Sequence, residues 1–499
     1  MGEPDPRRWL GLVVVLLAAF MDFIDVTIVV IAASVIQADL GASYAGVQWL
    51  LAGYTLPFGL LLVTGGRLGD LAGRTRVFLA GVLGFTLASA WCSLAGNIGM
   101  LIAARVAQGM AAGLMVPQVL ATIQVSFPPA ERPRAYGLYG AVAGLAFSAA
   151  PILGGLLLTQ DLWRLSWRSV FLINLPVGVL AVAAGAVLLG ESRAERRPRL
   201  DLGGVAIVTT GLLLVLYPLI QGNDLGWPAW TWLMTAAALP VLAAFVWYER
   251  RQERRGLLPL VPVSLLRRRS FGAGLAGAFV VFSAVSSFFL VLSLTLQAGH
   301  GRSPLATGLA VTPWPIGLGV TAAVAARTAA TVGRRLVTAG TLLLAAGMVL
   351  LIVAVGGAGG DLGAWRLVPG LLVGGLGLGL LAPVLVDITL SAVPPGDAGA
   401  ASGVTNTVMQ VGGAAGLALL GTLFVVLLQA QTGPSVDAVA PRLRGDLAAA
   451  GVAVRARAFD AALERTLGYA AGAFALGFLL SFALPARARR DEAAEPVMA

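Results

Sequence analysis

The chain has 499 residues, of which 58% are hydrophobic and only 12% are charged, and its mean hydropathy is +0.87. This excludes an ordinary water-soluble globular protein, in which about 25% of residues are charged. The net charge of +10 comes from arginine alone, and the arginines lie in short segments between apolar runs. That pattern indicates membrane orientation and excludes one continuous nucleic-acid-binding face.

The groups that most enzymes use for catalysis are scarce. The single cysteine, Cys92, cannot form an intramolecular disulfide, and the single histidine, His300, cannot supply a His-rich metal site. The sequence also lacks the HExxH, CxxC, GxSxG and P-loop motifs. We therefore expect no metal, no cofactor and no enzymatic activity, with a membrane-embedded enzyme or a receptor as the minor alternative.

Fourteen apolar segments are long enough to cross a bilayer. About 20 residues suffice, because about 30 Å of hydrocarbon is crossed at about 1.5 Å per residue. The first segment follows Arg7 and Arg8 and lacks a small-residue cleavage site, so we expect a retained helix. The predicted spans are residues 10–34, 45–65, 76–96, 99–122, 134–158, 168–190, 201–221, 229–248, 271–297, 304–327, 336–356, 366–392, 399–429 and 466–485.

The arginine distribution predicts the topology. If the N-terminus is cytoplasmic, most arginines fall in cytoplasmic connections, including those at 193–199, 250–255 and 267–269. We expect a multi-pass protein of a bacterial inner membrane with both termini in the cytoplasm. Residues 430–465 mix arginine and aspartate with alanine and valine, so they form either an external amphipathic helix or a loosely ordered loop.

Two carboxylates lie in the first predicted span. Asp22 and Asp25 are three residues apart and therefore share one helical face. Burial and mutual repulsion should favour protonation of at least one of them, so the pair can take up and release protons. Asp25 could also form a salt bridge with Arg105 at a comparable depth, and protonation could break such a bridge.

A glycine-rich loop follows the second span. In the sequence GRLGDLAGRTR, which we call the signature loop (residues 66–76), Gly66 and Gly73 permit a tight turn and close helix approach. Asp70 can pair with Arg74 or with a neighbouring helix, and Arg76 adds a second basic side chain. The loop is either a state-dependent gating latch or an ordinary turn with a solvated salt bridge worth about 0–1 kcal/mol.

A related stretch, Ala326 to Val337, follows the tenth span, and both stretches contain a Gly-Arg step. Aligning these steps gives an offset of 260 residues, which also superimposes the first span on the ninth. We therefore predict two six-helix bundles, residues 1–192 and 270–499, joined by a linker of two additional helices, residues 193–269. Asp70 has no acidic counterpart, so the second latch is degenerate or absent. Such halves around a midplane cavity predict alternating access.

The fourth span contains Arg105 and Gln108, one helical turn apart. An arginine at a helix centre costs about 2.5–3.5 kcal/mol on insertion scales, so it should face the bundle and contact an acidic group or a carbonyl. The alternative is that Arg105 extends to the external interface.

The fifth span is rich in small residues, which allow close and flexible packing against neighbouring helices. They either form a motif with a role in transport or a generic small-residue interface between helices. These residues are Gly140, Gly144, Pro151, Gly154 and Gly155.

Three polar residues lie in later spans. Asp387 in the twelfth span either takes part in coupling or occupies a solvated position near the cytoplasmic end. Asn406 and Gln410 in the thirteenth span can act as hydrogen-bond donors in a cavity.

These segments together resemble the major facilitator superfamily. The signature loop fits G-x-L-x-D-x-x-G-R, residues 101–109 resemble the membrane-embedded arginine motif, and the fifth span resembles the glycine- and proline-rich motif of proton-coupled exporters. Asp25 with Thr27 resembles the acidic first-span motif of fourteen-helix drug:proton antiporters, while Asp22 is an addition to that pattern. Residues 167–176 and 399–416 support the same family, so the resemblance covers nearly the whole chain.

The resemblance implies an all-α membrane protein of the major facilitator fold that exports small molecules in exchange for protons. We expect hydrophobic or cationic substrates such as drugs, antiseptics and antibiotics, because the aspartates and the apolar walls suit them. A dedicated exporter of an endogenous metabolite or a lipid-like molecule is the alternative. Expected partners are the substrate, protons and membrane lipids, with no nucleic acid, and the protein is expected to be a monomer driven by the proton gradient.

Overall fold

A computed structural model describes residues 8–128, 131–160, 165–193, 200–257, 259–261, 263–266, 268–358, 362–391, 393, 398–439 and 447–485. The described residues are almost entirely helical. The first half contains α1 (Arg8–Leu40), α2 (Tyr44–Ala72), α3 (Arg74–Ser93), α4 (Ile98–Ser126), α5 (Arg132–Gln160), α6 (Ser169–Leu172) and α7 (Asn174–Leu188).

The second half begins after a pair of connecting helices, α8 (Leu202–Leu225) and α9 (Ala229–Arg254), which we call the inserted hairpin. It contains α10 (Val263–Leu266), α11 (Arg269–Leu294), α12 (Pro304–Val311), α13 (Pro313–Val332), α14 (Arg334–Gly356), α15 (Ala364–Leu390), α16 (Ala398–Val439) and α17 (Leu447–Ser481). A π-helical turn, Thr295–Gly299, extends α11.

Thirteen helical segments of the described residues are long and apolar enough to cross a membrane. The fourteenth predicted span is the C-terminal part of α17, which packs against α14 and α16. The predicted all-α fold is therefore confirmed. Within the segment 430–465, residues 430–439 and 447–465 are helical, but they extend α16 and α17 instead of forming a separate amphipathic helix, and Phe459, Ala462 and Leu463 are part of the core. Residues 440–446 lie outside the described residues.

Two predicted continuous spans are interrupted, and proline accounts for both breaks. The predicted sixth span, 168–190, is divided into α6 and α7 at Ile173, because Pro176 has no N–H to donate to the carbonyl of Leu172. The predicted tenth span, 304–327, is divided into α12 and α13 immediately before Pro313. Sequence hydropathy alone does not locate such breaks.

The two Gly-Arg steps occupy equivalent turns. Gly73 lies between α2 and α3 with φ 113°, and Gly333 lies between α13 and α14 with φ 56°. Positive φ favours glycine because it has no Cβ. The internal duplication is therefore visible in the backbone, while the domain bounds at 192/193 and 269/270 stay predictions.

The inserted hairpin packs on both halves. α8 contacts α2 and α16, and Thr422 in α16 donates to the Leu219 carbonyl at 2.8 Å. We call the side of the membrane where α1 begins the near side, and the side where α1 ends the far side. The signature loop and the open end of the inserted hairpin both lie on the near side.

Candidate transport and coupling site

The first half of the chain buries an ion pair within its helices. Arg105 Nη1 on α4 lies 2.5 Å from Asp25 Oδ2 on α1, and the two side chains are 1% and 0% exposed. Removing two charges from solvent costs several kcal/mol per ion, so such a pair persists only with further hydrogen bonds. Arg105 therefore faces the bundle and contacts an acid, as the first of the two alternatives for this residue predicted.

The carboxylate of Asp25 accepts two more hydrogen bonds. Gln108 Nε2 and Asn174 Nδ2 donate to Oδ1 at 2.9 and 2.8 Å, and both amides also donate to Ser89 Oγ, at 2.9 and 3.2 Å. Arg105 Nη1 donates to Gln108 Oε1 at 2.7 Å. We call these five residues the Asp25 network; four helices, α1, α3, α4 and α7, contribute to it.

Asp22 lies beside this network and has a different partner. Its Oδ1 accepts a hydrogen bond from the Tyr54 hydroxyl on α2, and both side chains are buried. The guanidinium of Arg105 lies over the Tyr54 ring, 4.2 Å from its centroid, which is a cation–π distance. Cys92 Sγ, also buried, lies 3.7 Å from Gln108 Oε1. Asp22 is therefore held by a neutral donor, whereas Asp25 is held by a cation and two amides.

The signature loop forms a set of local contacts on the near side. Arg74 Nη2 donates to Asp70 Oδ1 at 2.8 Å, and Arg76 Nε lies 3.4 Å from Glu191 Oε2. A Cβ at Gly73 would lie 2.6 Å from the Glu191 carboxylate, and the φ of 113° at this position favours glycine. Of the two partners predicted for Asp70, the structure shows Arg74.

The expectation that Gly66 permits close helix approach is wrong by one residue. A Cβ at Gly66 would only touch Pro117 at an ordinary 3.7 Å, whereas a Cβ at Gly65 would overlap the backbone of Gly113. Both glycines face α4, but Gly65 is the one at which the backbones of α2 and α4 come into close contact.

On the far side, the glycine-rich face of α5 packs tightly. A Cβ at Gly155 would overlap the backbone of Leu305, and Gly308 lies against the Pro151 carbonyl. Gly154 similarly leaves room for Ile28 of α1. These contacts bring α5 and α12 together, as the small-residue pattern predicted.

Polar contacts also close the far side between α1 and the end of α11. Gln297 Nε2 donates to the Ile31 carbonyl at 2.9 Å, and Ser34 Oγ donates to Gln297 Oε1 at 2.6 Å. One turn earlier, Ser293 Oγ donates to the Val30 carbonyl at 3.2 Å. The two halves are thus joined across the far side.

The near-side half of the same α5 face does not pack. Gly140 and Gly144 lie on the face that continues from Pro151 and Gly155, but among the described residues a Cβ at either would meet no atom within 4 Å. A Cβ at Gly319 on α13 would likewise meet no described atom within 4 Å. The prediction that Gly140 and Gly144 support close packing is wrong for this conformation, because α5 and α13 separate toward the near side.

The Major Facilitator Superfamily model matches residues 15–417. The chain belongs to this superfamily. It is 45% identical to the "Probable actinorhodin transporter" of Streptomyces coelicolor over 90% of this chain and 78% of that protein. It is also 36% identical to the "Puromycin resistance protein pur8" of Streptomyces alboniger (84% and 82%) and to the "Tetracenomycin C resistance and export protein" of Streptomyces glaucescens (84% and 76%).

Solved structures show the same fold. A bacterial homolog of the human lysosomal transporter Spinster, in an inward-facing and unoccupied conformation, aligns with a TM-score of 0.64 and 15% identity, covering 96% of this chain and 98% of that chain. A peptide transporter POT in complex with sulfate aligns with a TM-score of 0.65 and 14% identity, covering 95% of each chain. The matched proteins and folds are those of transporters rather than enzymes.

Three predicted site residues of this major facilitator protein lie away from the Asp25 network. Asp387 is exposed near the near-side end of α15, and Asn406 is exposed and donates to the Ser402 carbonyl at 3.1 Å. Gln410 packs against Gly59 of α2, where a Cβ would lie 2.7 Å from the Gln410 Cβ. The described contacts therefore place Gln410 at a helix contact between the halves.

Sequence reasoning missed Tyr54 and Ser89, and it gave Asn174 no role beyond a family segment. Each is a polar residue within an apolar run, which is the pattern that identified Asp25 and Arg105. Hydroxyl and amide side chains are common in such runs, and only the helix packing distinguishes these three from threonines that bond their own helix, such as Thr86 to the Val82 carbonyl.

Proposed function

We propose that this chain is a proton-coupled exporter of hydrophobic or cationic small molecules that works by alternating access. The observation that carries the proposal is the Asp25 network, a protonatable ion pair that ties α1 to α4 inside the first half. The far-side closure and the near-side separation of α5 from α13 supply the conformational element that such a pair can bias.

Protonation of this site would change its contacts. The ionised Asp25 carboxylate accepts hydrogen bonds from Arg105, Gln108 and Asn174. A proton on Asp25 would remove the charge that holds Arg105, leaving the Leu50 carbonyl, 3.4 Å from Arg105 Nε, as an available partner. Among the described residues, the hydrogen-bond donor to Asp22 is the neutral Tyr54 hydroxyl, so Asp22 can accept a proton without leaving a buried cation unpaired.

In this proposal, the chain lies in a bacterial inner membrane, with the near side facing the cytoplasm and the far side facing the exterior. Substrate would enter between α5 and α13 in the conformation described, and protons would enter from the far side after the halves rock. Both termini would then be cytoplasmic, in accord with the arginine distribution. The protein would act as a monomer, driven by the proton gradient without a cofactor.

A dedicated exporter of an endogenous antibiotic is a second candidate. It is favoured by the 45% identity to a probable actinorhodin transporter and by the 36% identity to a tetracenomycin C resistance and export protein. Both candidates use the same coupling site and differ in substrate breadth. Expression in an efflux-deficient host distinguishes them: resistance to one aromatic antibiotic alone supports the dedicated exporter, and resistance to many unrelated cations supports the broad one.

The central test uses purified protein in proteoliposomes with an imposed pH gradient and ethidium as the transported cation. We expect gradient-dependent movement in the wild type and none in Asp25→Asn. Asp387→Asn is the matched control, because that carboxylate is exposed and outside the network. Equal gradient-driven transport by Asp25→Asn and wild type would refute coupling at this site; transport that ignores the gradient would refute antiport itself.

A further inference from the structure

A second pair of carboxyl groups lies at the near-side base of the inserted hairpin, remote from the Asp25 network in sequence and on different helices. Asp201 caps the start of α8, where its Oδ1 accepts from Gly204 N at 2.8 Å. Glu249 lies near the end of α9, and its Oε2 accepts from Val261 N at 2.8 Å. The two residues are only 9% and 0% exposed.

The other oxygen of each carboxyl group is unsatisfied. Asp201 Oδ2 and Glu249 Oε1 are buried and have no hydrogen-bond donor among the described residues. Both point at Gly204, where a Cβ would lie 2.7 and 2.5 Å from them. The two carboxyl groups are within hydrogen-bonding reach of each other. Two ionised oxygens in this arrangement would repel, whereas one proton between them would satisfy both.

Among the described residues, Arg67 supplies a positive charge to this pair. Arg67 of the signature loop interacts electrostatically with both carboxyl groups, and its Nη2 donates to the Pro259 carbonyl at 2.5 Å. Tyr248 is a further titratable neighbour among the described residues, and its hydroxyl donates to Asp201 Oδ1 at 2.9 Å. On the membrane side, Val63 of α2, Phe245 of α9 and Leu260 form an apolar cluster. A pair with one shared proton carries a single negative charge, which Arg67 balances.

We propose that Asp201 and Glu249 share one proton and thereby form a proton-binding site that fastens the inserted hairpin to the signature loop through Arg67. When the proton is lost, the two carboxylates repel and the start of α8 separates from the end of α9. The backbone contact of Arg67 with the segment after α9 is then released. Near-side pH would therefore act on the signature loop independently of the Asp25 network.

The test uses the purified full-length protein and its infrared spectrum as the pH is raised. We expect a C=O stretch from a protonated carboxyl group that disappears at alkaline pH, together with a fall in the thermal unfolding midpoint. Asp201→Asn keeps an oxygen for the α8 cap and places an N–H toward Glu249, so it imitates the protonated pair. We expect this variant to lose both the band and the alkaline fall.

Two controls separate this site from other carboxyl groups. Asp224→Asn removes an exposed aspartate from the same helix and should change neither signal. Asp25→Asn should leave the band of the Asp201–Glu249 pair in place, whatever it does to transport.

A third variant tests the role of Arg67. Arg67→Gln should keep the band to higher pH, because it removes the cation that favours the ionised form of the pair. A purely structural role for Arg67 would not shift the pH at which the band disappears.

Two results would overturn the proposal. One is an unchanged band and an unchanged pH dependence in Asp201→Asn and in Glu249→Gln. The other is stabilisation of the wild type by sodium ions at alkaline pH that is absent from both variants, since that would show a metal cation between two ionised carboxylates.

Discussion

In the first half of the chain, α1, α3, α4 and α7 bury an ion pair with two amides and a serine, whereas α11 carries apolar residues at the positions of the two aspartates. The second half has a His–Asp contact elsewhere: His300 Nε2, just after α11, lies 2.7 Å from Asp460 Oδ1 on α17. By the 260-residue offset that relates Gly73 to Gly333, Asp22 corresponds to Phe282 and Asp25 to Val285. The buried polar groups of α11, α14 and α15 are hydroxyls such as Thr341, which bonds its own helix at the Val337 carbonyl.

The difference separates two roles within one duplicated plan. Burying a hydroxyl that bonds its own helix costs little free energy, and the hydroxyl does not titrate near neutral pH. Burying an ion pair costs several kcal/mol per ion, and a proton on its carboxylate would remove one of the two charges. We therefore expect coupling at the Asp25 network of the first half, where four helices meet, while the helices of the second half supply the surface against which it moves. The second half contributes Gln297 and Gly308 to the contacts that close the far side.

Breaking the ion pair should have the largest effect. Asp25→Leu leaves Arg105 buried without its carboxylate, so we expect a loss of about 3–5 kcal/mol in the free energy of unfolding and no proton-driven transport. The double variant Asp25→Leu/Arg105→Leu should recover stability but not transport. Thermal unfolding and proteoliposome flux measure the two effects.

Val285→Leu, at the corresponding position of α11, is the matched control; it adds one methylene at a half-buried position and should cost less than the Asp25 variant, at most about 1–3 kcal/mol. Recovery of proton-driven transport in the double variant would show that the pair is only structural and would remove the contrast between the halves.

Close packing at the gate should give the next largest effect. Gly308→Ala places a methyl group against the Pro151 carbonyl, so we expect overpacking to cost about 1–3 kcal/mol and to weaken the far-side closure. Gly319→Ala, on α13, meets no described atom within 4 Å and should be neutral or slightly stabilising, because alanine favours helix. Thermal unfolding midpoints of the two variants provide the comparison, and equal losses would contradict the described separation of α5 from α13.

Asp22→Asn should affect coupling more than folding. Asparagine keeps an oxygen for the Tyr54 hydroxyl, so the packing is preserved while the titratable group is lost. We expect substrate exchange without a pH gradient to continue and gradient-driven accumulation to fall. Both are measured as ethidium flux in proteoliposomes. Normal accumulation would confine coupling to Asp25.

The smallest effect is expected from an ion pair at the near-side surface. Arg8 Nε and Nη2 each lie 3.0 Å from a Glu131 oxygen, and this pairing holds the pKa of Glu131 below its ordinary value of 4.5. A carboxyl group whose pKa is lowered by folding stabilises the protein above its unfolded pKa and loses that contribution as the pH falls through the folded pKa.

Glu131→Gln should therefore unfold slightly more easily than the wild type at neutral pH, and the difference should vanish in acid, below pH 4.5. Unfolding midpoints at the two pH values test this. A difference between the unfolding midpoints of Glu131→Gln and the wild type that grows as the pH falls would contradict a stabilising Arg8–Glu131 ion pair.

The sequence was sufficient for the architecture because hydropathy and the repeated Gly-Arg step depend on local composition. Asp25 and Arg105 were also recognisable, since charged residues in apolar runs are expensive. The hydrogen bond from Asn174 to Asp25 could not be predicted from the sequence, because it depends on how α7 packs against α1 and α3 after the break at Ile173. Gly140 and Gly155 belong to the same small-residue pattern of the fifth span, but Gly155 packs against α12 and Gly140 has no described neighbour there. This difference depends on the conformation and cannot be predicted from the sequence.

Cys92 lies fully buried against Gln108 and is the only cysteine of the 499 residues. A thiol reagent should consequently find no target on the folded protein. A cysteine introduced anywhere on the surface would then be the sole labelling position, without prior removal of a native one. Conversely, modification of Cys92 in the unaltered chain would report that the helices around Asp25 had parted.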